Sequence, residues 1–70
     1  MLKTTVRKRV SLKKRRLEKG FTQEQLALAV DVSKEQIRSL EYGRVNPSFK
    51  LLKKICTVLD SKADDLFFSD

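Results

Sequence analysis

Histidine and tryptophan are absent from the 70 residues, and cysteine and proline occur once each. Without histidine the chain lacks the side chain that most readily moves protons near neutral pH and most often ligates metals. The lone Cys56 cannot close an internal disulfide, which excludes a disulfide-stapled secreted miniprotein. No Cys/His cluster with metal-ligand spacing exists, and two glycines, Gly20 and Gly43, make no phosphate-binding loop. The longest apolar run, Leu26 to Val30, is far too short to cross a bilayer, and the N-terminus has no signal-peptide core. Cys56 reads as a small core residue, and Asp64 and Asp65 read as carboxylates complementing a helix dipole. The expectation is a cytoplasmic chain that is no enzyme, with no cofactor, no metal, no small-molecule ligand and no membrane partner.

Positive charge is what the chain has in excess. It carries 16 Lys/Arg against nine Asp/Glu, a formal net charge of +7. The excess is concentrated: residues 1–20 hold nine of the basic residues and a single acid. Such a surface suits a polyanion. A chain this short is one domain with a modest core. The initiating Met and an orderly C-terminal element read as a complete chain with no effector domain.

Punctuation divides the chain into five helices. The first runs roughly Val6 to Lys19, with Val6, Val10, Leu12 and Leu17 as an irregular apolar face and Gly20 as its stop. Thr22 with Gln25 makes a capping box for the second, flanked by a Phe21–Leu26 staple; Leu26, Ala27 and Val30 face inward. Ser33 with Gln36 repeats the pattern for the third, with Val32 and Ile37 as staple and Gly43 as stop. Only Asp31 and Val32 separate these two helices, so they must cross at a large angle. A fourth helix, about Ser48 to Leu59, carries the stripe Leu51, Leu52, Ile55, Cys56 and Leu59, and Ser61 is the expected cap of a short fifth, about Lys62 to Phe68.

The short turn projects the start of the third helix outward. Its exposed positions are Ser33, Lys34, Glu35, Arg38 and Ser39, with Gln36 partly engaged in capping. Lys can donate to guanine, Glu can accept from cytosine, and Ser can do either, so Lys34, Glu35, Arg38 and Ser39 are the candidates for base contact.

The stretch Phe21–Gly43, FTQEQLALAVDVSKEQIRSLEYG, resembles the Cro/C1-type (XRE) helix-turn-helix family, which includes the lambdoid phage repressors. Thr22-Gln23, Leu26-Ala27, Val32-Ser33, Ile37, Leu40, Glu41 and Gly43 fit its pattern, as do Arg16–Gly20, Asn46–Cys56 and Ala63–Phe67. The resemblance implies an all-α, five-helix, lambda-repressor-like fold over 10–68, with the helix-turn-helix at 22–42. It also implies binding to double-stranded operator DNA, usually as a dimer on a palindrome. By position it puts Lys34, Glu35 and Ser39 at bases. Gln23 and Ser33 fall at phosphates or nearby bases, and Arg44 falls in a loop that grips the backbone. Thr22 and Gln36, at the same two helix starts, join them as backbone candidates. Arg16 and Glu41 fall where phage repressors hold a partly buried ion pair. Two departures stand out: Asp31 and Asp60 occupy turns where the family favours glycine.

Residues 1–9 are either a basic arm, with Lys3, Arg7, Lys8 and Arg9 reaching DNA, or the start of the first helix. Leu66, Phe67 and Phe68 close the chain, and a homodimer interface formed by them would set two recognition helices one DNA turn apart. The leading expectation is therefore a sequence-specific transcriptional regulator, a dimeric repressor. One alternative is a protein-interaction module such as an antitoxin or immunity partner, with secondary DNA binding. Another is a non-specific nucleic-acid binder driven by charge alone.

Overall fold

Thr22, Ser33 and Ser48 each take an extended backbone, and each side chain accepts a hydrogen bond from the backbone N–H three residues on, at 3.0, 3.1 and 3.2 Å. Each bond satisfies an otherwise orphaned helix donor. In the computed structural model, which describes residues 8–68, these caps open α2 (Gln23–Val30), α3 (Lys34–Glu41) and α4 (Phe49–Leu59). α1 (Val10–Glu18) and α5 (Ala63–Phe67) start without a side-chain cap, and no strand occurs among the described residues. The capping box at Thr22 is complete, since the Gln25 side chain accepts from the Thr22 N–H at 2.9 Å. At Ser33 only half of the expected box forms: Gln36 donates its backbone N–H, but its side chain does not return the bond.

The first four helices stop in the same way. At each exit one residue is left-handed: Gly20 (φ 81°), Asp31 (63°), Gly43 (77°) and Asp60 (52°). Its N–H reaches back three residues and the next N–H reaches back five, as in Gly20 to Leu17 and Phe21 to Arg16, both 3.0 Å. Asp31 and Val32 do the same onto Leu28 and Ala27, Gly43 and Arg44 onto Leu40 and Ser39, and Asp60 and Ser61 onto Thr57 and Cys56. This paired bond satisfies two of the last carbonyls of each helix and turns the chain sharply. Two glycines supply the conformation without strain, and two aspartates tolerate it.

The turns pack α2 on α3 and on α4, and bring α1 against α5. Every helix contributes to the core. Leu12 comes from α1, Leu26, Ala27 and Val30 from α2, Ile37 and Leu40 from α3, and Leu51, Ile55 and Leu59 from α4. Leu66 completes it from α5. The expected faces of α2 and α4 hold, although Leu52 and Cys56 are only half-buried.

The expected face of the first helix is corrected. Lys8 and Arg9 are not helical, so α1 begins later than Val6, which itself lies outside the described residues. The buried stripe of α1 is Leu12 and Arg16, four residues apart. At roughly 100° per residue, Val10 and Leu17 fall well off that stripe, and both are exposed.

Ser61 is also reassigned. It is not the cap of α5, whose N-cap position is Lys62. The Ser61 hydroxyl donates to the Leu59 carbonyl at 3.1 Å and accepts from Arg15 Nε at 2.8 Å. Arg15 also donates to the carbonyls of Leu59 (3.0 Å) and Asp60 (3.2 Å). A guanidinium from α1 thus holds the carbonyl end of α4, where the helix dipole favours positive charge.

Candidate nucleic-acid interface

Ser33 fixes where α3 begins, and Ile37, Leu40 and Glu41 turn its other face into the protein. Lys34, Glu35, Gln36 and Arg38 are consequently exposed, and Ser39 is half-buried. Glu35 and Arg38 lie one turn apart and pair at 3.5 Å, each more than half exposed. Among the described residues Lys34 has no ion-pair partner. It lines a shallow cleft with Lys13 of α1 and with Thr22, Gln23 and Glu24 at the start of α2. Sequence reading passed over Lys13; its signal was its place beside Leu12, once Leu12 is known to set the phase of α1.

The hydroxyls of Thr22 and Ser33 accept the capping bonds, and each keeps an O–H to donate outward. Gln23, the first residue of α2, is tied inward by its side chain. Its Nε2 donates to Glu41 Oε1 at 3.1 Å. That same carboxylate takes Arg16 Nε at 2.5 Å and Arg16 Nη2 at 3.2 Å, and Arg16 Nη1 donates to the Phe21 carbonyl at 2.8 Å. Arg16 and Glu41 are about 95% buried, and among the described residues no buried side-chain polar atom lacks a partner. The network joins α1, the entry to α2 and the end of α3. It thereby fixes the angle at which α3 leaves the body.

Arg9, one of the four residues expected in a DNA-contacting arm, is bound to the body of the protein. Its N–H donates to the Glu41 carbonyl at 2.8 Å. Its guanidinium donates to the carbonyls of Leu40 (2.6 Å) and Val45 (2.9 Å) and to Asn46 Oδ1 (2.7 Å). It also lies over the Phe67 ring, 5.4 Å from the centroid. Burial draws the guanidinium below its ordinary pKa, yet an arginine in this position stays charged near neutral pH. Arg9 therefore closes the carbonyl end of α3, with three of its five guanidinium N–H groups bonded within the protein. Lys3 and Arg7 lie outside the described residues. Lys8 is exposed, with its ammonium 5.2 Å from the Tyr42 ring centroid, and Arg44 stands at the same distance from that ring.

The C-terminal residues divide. Leu66 is buried in the core, which corrects its assignment to an interface. Phe67 is half-buried under Arg9 and packs on the core, while Phe68 remains 70% exposed. Phe49 (73% exposed) and Val45 (42%) also face solvent, and sequence reading singled out neither. Phe49 falls just outside the inward stripe of α4, in a position that only the helix phase reveals.

A family model described as helix-turn-helix matches residues 12–66. An HTH-type transcriptional regulator of Archaeoglobus fulgidus is 42% identical over 62 residues, 89% of each chain. The restriction-modification controller protein C.AhdI from Aeromonas hydrophila superposes with a TM-score of 0.73 at 32% identity, covering 81% of this chain and 86% of that one. The N-terminal DNA-binding domain of SinR from Bacillus subtilis does so with a TM-score of 0.73 at 33% identity, covering 84% and 87%.

Proposed function

The chain belongs to the Cro/C1-type helix-turn-helix family of DNA-binding transcriptional regulators, and from that premise we propose that it represses transcription as a homodimer on a two-fold symmetric operator. The carrying observation is the outward start of α3. There a Ser33 cap presents Lys34, Glu35 and Arg38 to solvent beside the cationic cleft of Lys13 and Lys34. A helix end of this shape enters the major groove, and its side chains reach base edges. In the proposal Lys34 is the principal base reader, with Ser39 and a released Arg38 beside it. Thr22, Gln23, Ser33 and Gln36 meet the backbone at the two helix starts.

Two-fold pairing is supported by apolar surface that the single chain leaves uncovered. Phe68, Phe49 and Val45 are all exposed. Arg9 bonds to the Val45 carbonyl and lies over Phe67, so the loop after α3 and the end of α5 are neighbours. The dimer surface is proposed there. Among the described residues no helix is long and apolar enough to cross a membrane, and a DNA-bound regulator would work in the cytoplasm.

Selection from a random duplex pool at near-physiological salt tests the reading. Recovery of a two-fold symmetric site is the expected result. Retention without sequence enrichment, lost as salt rises, would overturn specific recognition and leave charge as the sole cause of binding. The same exposed phenylalanines would then point to a protein partner, in the manner of an antitoxin.

A further inference from the structure

α1 carries a second stripe that the core does not use. Val10 and Leu17, seven residues apart, are 61% and 57% exposed. At roughly 100° per residue they fall within about 20° of one another, turned about 130° from the buried Leu12–Arg16 stripe. Lys13 and Lys14 flank this seam, one on each side at about 50°, and both are exposed. We infer that the Val10–Leu17 seam of α1, with its lysine flanks, docks an acidic amphipathic helix of a partner protein. The docking surface stands on its own geometry, and its effect on transcription rests on the DNA-binding reading above.

Charge selects among the surfaces that could cover the seam. Lys13 and Lys14 have no ion-pair partner among the described residues, since Glu18 pairs with Arg15 and the Glu41 carboxylate takes Arg16 and Gln23. Beside Leu17, Glu24 stands against both Lys13 and Lys34, so the cleft there keeps a positive balance. A second copy of this chain would lay lysine on lysine, which repels. A duplex would answer the lysines but leave Val10 and Leu17 without apolar partners. A lipid surface would gain little from two aliphatic side chains on a nine-residue helix. A helix with apolar residues at matching spacing and Asp or Glu on both flanks answers all four groups. Its apolar stripe packs on Val10 and Leu17, and its carboxylates meet Lys13 and Lys14.

The seam adjoins the proposed reading surface. Leu17 lines the cleft that holds Lys34, Val10 lines the groove that holds Tyr42, and Lys13 and Gln23 belong to both. Val10 and Leu17 lie about 10 Å apart along the helix axis, and a docked helix is about as wide. Laid along α1, it covers Lys13 and the mouth of the Lys34 cleft. Its carboxylates then face the path of DNA phosphates, like charge against like. The partner therefore competes with DNA for this side of the protein, and its arrival would lift repression.

The test is fluorescence anisotropy of a labelled two-heptad helical peptide with leucine at its apolar positions and glutamate on both flanks. Val10→Ser and Leu17→Ser keep the net charge and the core, and each is expected to weaken peptide binding by about tenfold. Lys14→Ser, whose side chain lines neither cleft, should weaken it several-fold, most at low salt. The Val10 and Leu17 variants should keep parental affinity for duplex DNA, and unlabelled peptide should displace a labelled duplex from the parent. No peptide binding by the parent overturns the proposal. So does binding that both seam variants leave unchanged, or equal binding of a peptide with serine in place of leucine, since charge alone would then explain the contact. Retention on phosphatidylglycerol vesicles that is lost in Leu17→Ser overturns it in favour of a lipid surface. A parental dimer mass that falls in Leu17→Ser overturns it in favour of a second copy. Peptide and duplex bound together overturn the competition. Peptide docking at the seam of a parent that binds no duplex upholds the docking surface and ends the DNA-binding reading.

Discussion

Single residues set both the stability of the turns and the reading of bases. Asp31 and Asp60 hold left-handed backbones that glycine adopts freely. Asp31→Gly and Asp60→Gly are each expected to raise unfolding free energy by about 0.5–1 kcal/mol, measured by chemical denaturation. A loss in either variant would mean that the carboxylate does more than tolerate the turn. Lys34 differs in kind, since it lies exposed at the outward end of α3 and has no ion-pair partner among the described residues. Lys34→Ala should cost about 1–3 kcal/mol on the selected site and relax preference at one base pair, with stability unchanged. Equal weakening on random DNA would recast Lys34 as a phosphate contact. Glu35 will not compete with it for bases while it pairs with Arg38.

Elements are joined by buried charge as much as by leucine. Arg16 and Glu41 link α1 to α3 inside the protein and hold Gln23 at the start of α2. Glu41→Ala should destabilise by about 3–5 kcal/mol, because it strands a buried guanidinium. Arg16→Met combined with Glu41→Leu should recover most of that loss, since burial of two well-packed apolar groups avoids the desolvation of both ions. Denaturation midpoints of the single and double variants decide the matter, and a double variant as unstable as the single would assign the pair a net stabilising role.

Helices and their caps were legible in the sequence because their signals are local. Thr22, Ser33 and Ser48 lie three residues before the N–H they satisfy, and the stripe of α4 repeats every fourth residue. The roles of Arg9 and Arg15 were not legible. Arg9 and Arg15 look like members of a solvated basic run, yet their partners are 31 and 44 residues away. The same holds for Ser61, whose hydroxyl fits a cap by spacing but is claimed by Arg15. At the interface, the outward positions of α3 followed from periodicity. The cleft beside them depends on how α1 and the start of α2 meet α3 in space.

For the whole molecule, charge and apolar surface separate two kinds of contact. Three of the nine basic residues in the first 20 act inside the protein, so the net charge overstates what is free to meet DNA. The exposed Phe49 and Phe68 are proposed to meet a second copy. Phe49→Asp and Phe68→Asp should yield monomers by light scattering and weaken binding to a two-fold site far more than to a half-site. A dimeric mass retained in both variants would move the interface elsewhere.

The packing of α1 against α5 also bears on how the chain is made. Synthesis releases α2 and α3 together, and their contacts are short in sequence, so they can associate early. Leu12 and Arg15 must wait for Leu59, Ser61 and Leu66 to emerge. A chain ending at Leu59 holds every residue of the proposed reading surface but lacks the last two of these partners. It should melt without cooperativity and fail to retain duplex DNA, which calorimetry and a binding titration would register. DNA binding would then require that translation had passed α5.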